Sequence, residues 1–227
     1  MKKFILAACA ITLLGSQGFA ATGKAKLDDR LTRATRVIQA IMATPDKAIP
    51  NSILADATCV AVVPGFKKGA FVFGGEYGQG AVTCKTSHGW SAPAFIQLAG
   101  GSFGFQIGAQ STDLVLIAVN QRGMQDLLKS KFKIGGNASA AAGPVGRDAS
   151  AATNLTMKSE LLTYSRSQGL FAGIDLSGTV VNQNTEDTRT FYGSDRPFAS
   201  ILEGNVATPP AAHTFVSTVA KYFKKSQ

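Results

Sequence analysis

The spacing of apolar residues near the start of the chain is that of an α-helix. Over Lys26–Met42 they recur every three or four residues, and three arginines fall on another face. We therefore predict a helix that packs its apolar face against a core. Pro50 predicts a second, short helix over Asn51–Ala57. The apolar positions of the first helix are Leu27, Leu31, Ala34, Ile38 and Ile41, and the arginines are Arg30, Arg33 and Arg36.

Short apolar runs separated by glycine fill the next part of the chain, Val60–Val119, which holds 11 of the 24 glycines. This spacing is typical of strands joined by tight turns, because glycine adopts positive φ without steric cost. We accordingly interpret strings such as GGEYGQG as hairpin turns. Ser102–Gln110 alternates apolar and small or polar residues, which predicts one half-buried strand. Leu114–Val119 is apolar throughout and predicts a strand covered on both faces.

The second half of the chain contains both kinds of pattern. Asn120–Lys129 and Ala211–Lys224 have helical spacing, while Ser159–Arg166 and Leu170–Val181 are typical of strands. The small residues of Ala138–Ala152 separate two β regions. Together these elements predict an α+β fold, in which a curved antiparallel β-sheet or barrel is flanked by N-terminal and C-terminal helices.

The first twenty residues have the layout of a secretory signal peptide. Lys2 and Lys3 form a positive region, Phe4–Leu14 is apolar, and Gly18-Phe19-Ala20 forms a small-residue site before Ala21. We predict that residues 1–20 are a signal peptide and that residues 21–227 form a single domain. The expected location is periplasmic or secreted, peripheral to a membrane.

The three cysteines fall into two groups. Leu6-Ala7-Ala8-Cys9 is similar to a lipoprotein processing site, but it lies very early and apolar residues continue after it, so we favour ordinary cleavage over a lipid anchor at Cys9. Cys59 and Cys84 then remain as an even pair in an oxidising compartment, which predicts a disulfide. The alternative is that both are buried free thiols that behave as small apolar residues.

The charge of the chain favours anionic partners. Loss of Lys2 and Lys3 from the 23 basic residues leaves 21 against 14 acidic residues, a net charge of +7. Such an excess suits phospholipid surfaces, nucleic acids or acidic polymers. Export makes nucleic acid the least expected of these, so we predict no nucleic-acid partner.

Three long strings resemble the SYLF-domain family of lipid-binding proteins. They read GFKKGAFVFGGEYGQG, GWSAPAFIQLAGGSFGFQIGAQSTDLVL and KFKIGGNASAAAGPVGR. The resemblance runs in order from about Leu31 to about Gly193, so it covers most of the chain. It implies binding to phospholipid head groups without catalysis.

Basic residues within or next to these strings are the candidates for contact with a membrane. Two lysines lie in PGFKKG, which we interpret as a turn, and three alternate with other residues in KSKFK, where an extended chain would place them on one face. Such cations attract anionic lipid, although ordinary solvated charges have the same appearance. The candidate lipid-binding residues are Lys67, Lys68, Lys129, Lys131, Lys133 and Arg147.

Signals for catalysis or for a bound cofactor are weak. His88 and His213 are far apart and neither has an acidic cluster beside it, as a metal site or a catalytic triad would require. The glycine-rich strings lack the phosphate-loop pattern. We therefore predict no catalytic residue, cofactor or metal site. The acids considered for a catalytic pair are Asp148, Glu160, Asp175 and Glu186.

The leading hypothesis is an exported, non-catalytic phospholipid-binding protein of the cell envelope that contacts anionic head groups through a basic surface. The alternative is a structural or interaction protein of the envelope that binds another protein or a polymer. A hydrolase is a third hypothesis, and it would need acids or histidines clustered in a pocket. The sequence identifies no protein partner.

Overall fold

The structure is a computed structural model of the 227-residue chain. It describes residues 5–43, 49–71, 73–103, 108–145, 159–167, 170–174 and 176–224.

Ten strands within the described residues form one sheet. The order of its main path is β6-β10-β4-β2-β1-β5-β8-β7, with β3 beside β2 and β9 beside β8. Every pair is antiparallel except β7 with β8. The strands are β1 Cys59–Phe71, β2 Phe73–Thr86, β3 Gly89–Trp90, β4 Ala94–Phe103, β5 Gly108–Ala118, β6 Lys131–Lys133, β7 Ala140–Ala142, β8 Leu161–Ser167, β9 Leu170–Gly173 and β10 Val180–Gln183.

Helices flank this sheet near both ends of the chain, so the predicted α+β fold is confirmed. The predicted helices near residues 26–42, 51–57, 120–129 and 211–224 are all present. The described helices are α1 Ile5–Met42, α2 Asn51–Asp56, α3 Gln121–Leu128, α4 Thr185–Tyr192, α5 Phe198–Leu202 and α6 His213–Tyr222, the last preceded by a 3-10 turn over Pro210–Ala212.

The sheet is curled because a short segment of the chain connects the two strands that lie at its opposite ends. β6 and β7 lie at opposite ends of the strand order, yet only residues 134–139 connect them. Ile134 and Ala138 in this connection pack in the same buried cluster as Ala61, Leu116 and Leu98 of the central strands. The sheet therefore wraps around this cluster as a half-barrel, and we call the face toward the cluster the inner face.

Helices cover part of both faces of the sheet. On the outer face, α1 packs on β1 and β2, and α6 packs on α1 and β3. Their apolar side chains share one buried cluster with Val62, Val115 and Phe95. On the inner face, α3 and α5 pack against the other side of the same strands. Residues 114–119 are buried, as predicted for a strand covered on both sides. No described helix is long and apolar enough to cross a bilayer.

A bulge in β1 changes which residues face outward. Between Val62 and Lys67, β1 contains one residue more than the facing part of β2, and the pairing with β5 shifts at the same place. Gly65 within the bulge has φ of 64°, which favours glycine. After the bulge, Phe66 lies in the inner cluster and Lys67 is exposed.

Two strand predictions are wrong in their connectivity. Ser102–Gln110 is not one strand, because its start belongs to β4 and its end to β5, and β1 and β2 lie between these two. Residues 104–107 lie outside the described residues. Leu170–Val181 is also divided: β9 pairs with β8, whereas β10 pairs with β4 and β6. A turn with positive φ at Gly178 precedes β10.

The glycines of GGEYGQG lie inside β2, so their interpretation as hairpin turns is wrong. Two of them, Gly78 and Gly80, allow close packing. A Cβ atom on Gly78 would lie 2.7 Å from Val63 Cγ1 and 2.8 Å from Phe66 Cδ2. Glycine in a strand commonly marks such a close approach.

The predicted bridge between Cys59 and Cys84 is present in the structure. The two residues face each other on neighbouring strands β1 and β2, and both are fully buried in the inner cluster. The bridge closes a loop of 25 residues. In the chain-entropy account, closing a loop of this length stabilises the fold by roughly 3 kcal/mol.

Gly78→Ala should destabilise the domain, since the new methyl group would overlap the Val63 and Phe66 side chains. We expect the free energy of unfolding in urea to fall by about 1–3 kcal/mol. Gly75→Ala is the matched control in the same strand, because a Cβ atom there would meet no atom within 4 Å. Equal effects of the two substitutions would contradict this account of the strand glycines.

Candidate functional site

The register of the sheet places two lysines in one row on the outer face. Lys67 pairs with Tyr77, Tyr77 with Ala99, Ala99 with Val180, and Val180 with Lys133. Residues directly opposite each other on neighbouring antiparallel strands point to the same side of a sheet. Strands are spaced about 4.8 Å apart, so the backbones of the two lysines lie roughly 19 Å apart along the sheet.

A second, polar row runs beside the first. Lys131 pairs with Asn182, Asn182 with Gln97, and Gln97 with Gln79. The asparagine and the two glutamines are partly exposed, and Lys131 is exposed.

The two rows together form a solvent-facing surface with cations at its ends. Lys67, Lys131 and Lys133 are exposed, and Tyr77 is 48% exposed in the first row. We call Lys67, Tyr77, Lys131 and Lys133 the basic face.

The basic face adjoins α1, which Arg30 anchors. The Arg30 guanidinium lies 2.5 Å from Asp187 Oδ2 of α4, and it donates a hydrogen bond of 2.8 Å to Gln79 Oε1 of β2. It also lies over the Phe95 ring, 5.7 Å from the ring centre. Arg30 is buried, so these contacts hold α1 in one position across the sheet.

Hydrogen bonds hold α4 in turn. Asn184 caps the helix by accepting a hydrogen bond of 3.0 Å from the Asp187 N–H. The Tyr192 hydroxyl donates a hydrogen bond of 2.7 Å to the Pro93 carbonyl. Burial raises the pKa of this hydroxyl above its ordinary value, so it remains a donor.

The structure separates the predicted lipid-binding residues. Lys67 and Lys68 lie inside β1 and not in a turn, so the predicted local structure there is wrong. As neighbours in a strand they point to opposite faces. Lys68 Nζ lies 3.8 Å from Oε2 of the buried Glu76, which also accepts a hydrogen bond from the Thr179 hydroxyl.

The other predicted lysines also divide. Lys131 and Lys133 flank the buried Phe132 on β6 and share one face, whereas Lys129 caps α3 with its Nζ 2.5 Å from Asp126 Oδ1. Arg147 lies outside the described residues. Lysines on an end strand such as β6 also hinder pairing with a second sheet, so exposure alone does not assign a function. The lipid-binding role of all six residues stays a prediction.

The histidines lie apart in the structure. His88 is in the exposed turn between β2 and β3, where its Nδ1 is 3.0 Å from the Ser87 hydroxyl, and His213 begins α6. Among the described residues, no three histidine, cysteine, aspartate or glutamate side chains come together as metal ligands would.

Sequence reasoning did not select Tyr77, Gln79 or the arginines of α1 as site residues. The signal for the arginines was the three-residue spacing of Arg30, Arg33 and Arg36, which puts them near one side of the helix. Tyr77 and Gln79 carry no local signal, because their place depends on the pairing of distant strands.

A curled antiparallel sheet, covered by helices from both ends of the chain and exposing a basic face, defines a mixed α+β domain with a candidate binding surface. The family model described as "Ysc84: Las17-binding protein actin regulator" matches residues 99–222. The chain belongs to this family, the Ysc84 or SYLF-domain family.

Relatives from yeast and mammals cover most of the chain. Protein YSC84 of Saccharomyces cerevisiae is 36% identical over 171 residues, which is 74% of this chain and 36% of the relative. LAS seventeen-binding protein 3 of the same species is 35% identical over 170 residues, or 73% of this chain and 37% of the relative. SH3 domain-containing YSC84-like protein 1 of Rattus norvegicus is 36% identical over 183 residues, or 80% of this chain and 54% of the relative.

The chain therefore spans about a third to a half of the length of these relatives. The family description names binding and regulation, and it names no reaction.

Arg30→Ala should destabilise the domain, since it leaves Asp187 and Gln79 without their partner beneath α1. We expect the free energy of unfolding in urea to fall by about 3 kcal/mol. Arg33→Ala is the control on the same helix. Its pair with Asp29 is solvent-exposed and should contribute less than about 1 kcal/mol. A loss for Arg30 no larger than that for Arg33 would show that the buried pair does not anchor α1.

Proposed function

We propose that the protein is an exported, non-catalytic binding protein that contacts anionic phospholipid head groups at an envelope membrane through its basic face. The observation that carries the proposal is the row of paired residues that aligns Lys67 with Lys133 across five strands. The positive charge predicted for the exported chain has the sign that an anionic surface attracts.

The geometry of the row suits a membrane surface. Between its two lysines lie Tyr77, Ala99 and Val180, none of which is acidic. Cations held on a rigid sheet meet several head groups at once, and each contributes about 1 kcal/mol near an anionic bilayer. The half-exposed Tyr77 has an apolar ring and a polar hydroxyl, a combination that suits the interface between lipid and water.

The names of the relatives support a second candidate, binding to another protein. LAS seventeen-binding protein 3 is named for a protein partner, and the family description also names Las17 binding and actin regulation. For this chain, the corresponding proposal is an interaction protein of the envelope that binds another protein or a polymer. Binding to vesicles made only of lipid separates the two candidates.

Binding to vesicles of phosphatidylcholine and phosphatidylglycerol should weaken as ionic strength rises, because salt screens exposed charges over about 10 Å at 0.1 M. Replacing Lys67, Lys131 and Lys133 together by alanine should remove about 3 kcal/mol, or roughly a hundredfold in affinity. Co-sedimentation measures both effects.

The matched control replaces by alanine three exposed lysines that lie in α1, in α6 and just after α6, with the same loss of charge. These residues are Lys24, Lys221 and Lys224. The control should retain most of the binding. If both triple variants bind like the wild type, the basic face is only solvated. If the wild type binds no anionic vesicle at all, the protein-binding candidate replaces this proposal.

Export predicts a mature N-terminus at or near Ala21 and no lipid on Cys9. The intact mass of the protein recovered from the native envelope measures both. The contradicting result is a mass that corresponds to a chain beginning at a diacyl-modified Cys9.

A further inference from the structure

A cleft of about 330 Å³ lies where α1 crosses β1 and β5, and three arginines line it. Arg33 and Arg36 come from α1 and Arg166 from β8, and the backbone of Gly65 and the Asp113 carboxylate complete the polar lining. The cleft thus joins side chains from a helix and from strands that are far apart in the chain.

The bulge in β1 organises the floor of the cleft. The Gly65 N–H donates a hydrogen bond of 3.0 Å to Asp113 Oδ1, and Asp113 Oδ2 lies 3.8 Å from the Arg166 guanidinium. Asp113 therefore orients Arg166 from one side. At this distance it does not form the two parallel short hydrogen bonds of a bidentate pair, so Arg166 has donors left for a ligand.

The two helical arginines are also available to a ligand. Arg33 lies 2.9 Å from Asp29, but both side chains are about half exposed, and such pairs exchange readily with water. Within the described part of the chain, no ion pair or hydrogen bond involves the Arg36 side chain. With Asp29 and Asp113 both counted against the three arginines, one positive charge remains uncompensated.

We infer that this cleft binds a single phosphate group between Arg33, Arg36 and Arg166. A guanidinium carries five donors in a planar fork that matches phosphate oxygens, whereas a lysine offers only a point charge. Three such forks converge on a cleft that already holds an uncompensated positive charge. A phosphate monoanion would neutralise that charge.

The cleft opens beside the basic face. Lys67 lies two residues beyond Gly65 on β1, and it pairs with Ser111, two residues before Asp113 on β5. A phospholipid lying against Lys67 would therefore bring its phosphate to the arginines. This source of the phosphate rests on the proposed function, whereas a free phosphate ion would need only the cleft.

A larger cavity of about 660 Å³ beside α4 is a weaker candidate. Its central charges, Arg30 and Asp187, already bind each other. In the arginine cleft, by contrast, Arg36 and Arg166 have donors left for a ligand.

The test replaces Arg33 and Arg36 together by lysine, which keeps the positive charge and removes the planar guanidinium donors. On vesicles of phosphatidylcholine and phosphatidylglycerol, we expect binding at least about tenfold weaker than that of the wild type, since hydrogen bonds to charged groups are lost. The matched control replaces the exposed Arg122 and Arg196 by lysine and should bind like the wild type.

A second arm uses inorganic phosphate on the full chain, with chloride as the reference at equal ionic strength. The NMR signals of the Arg33 and Arg36 Nε–H groups should shift and saturate. They should do so as well in the variant with Lys67, Lys131 and Lys133 replaced by alanine, although that variant has lost vesicle binding.

Either response supports the phosphate site, and together they identify its source. Weaker vesicle binding by the double lysine variant assigns the site to a lipid head group. A saturating phosphate shift in a protein that binds no vesicles assigns it to soluble phosphate and removes the proposed function instead. If the double variant binds vesicles like the wild type and phosphate produces no saturating shift, the inference is overturned.

Discussion

A buried guanidinium joins three parts of the chain that are far apart in sequence. Arg30 of α1 contacts Gln79 of β2 and Asp187 of α4, and the Arg30 side chain is itself buried. A charge buried in this way needs its partners, so α1 has little freedom to rotate or slide on the sheet. The rotation of α1 in turn decides that its apolar side enters the core and that Arg33 and Arg36 line the cleft formed with β1, β5 and β8.

The half-barrel divides its outer face into two regions with different chemistry. Where α1 and α6 cover the strands, the outer face of the sheet is part of an apolar core that includes Val62, Val115 and Phe95. Beyond α1, the same strands present lysines, amides and one tyrosine to solvent. The inner face is covered by the curl of the sheet together with α3 and α5. The outer face of the same strands is therefore buried along one part of their length and exposed along the other.

Local patterns predicted four of the six described helices, whereas some strand predictions are wrong because strand pairing depends on distant residues. The period of Leu27, Leu31 and Ile38 is a property of one segment, so it survives in any fold that buries it. The alternation of Ser102–Gln110 continues across a change of strand, which no local pattern marks. The prediction of hairpin turns at the glycines of β2 is wrong because glycine is favoured both in turns and where side chains or backbone pack closely. The alignment of Lys67 with Lys133 depends on four strand pairings, which no local sequence pattern indicates. The short helix α4 did carry a signal in its capping residue Asn184 and the acids that follow it.

The extra residue at Pro64-Gly65 decides which side of β1 faces water beyond it. Because side chains alternate, a strand one residue shorter at this point would present Phe66 to solvent and turn Lys67 inward. The lysine doublet tolerates this exchange: in either register one of Lys67 and Lys68 points outward, and the other faces the side that holds Glu76. The outer surface therefore keeps one lysine after an insertion or deletion of one residue in the bulge. The apolar contacts of the strand at this place would not survive the same change.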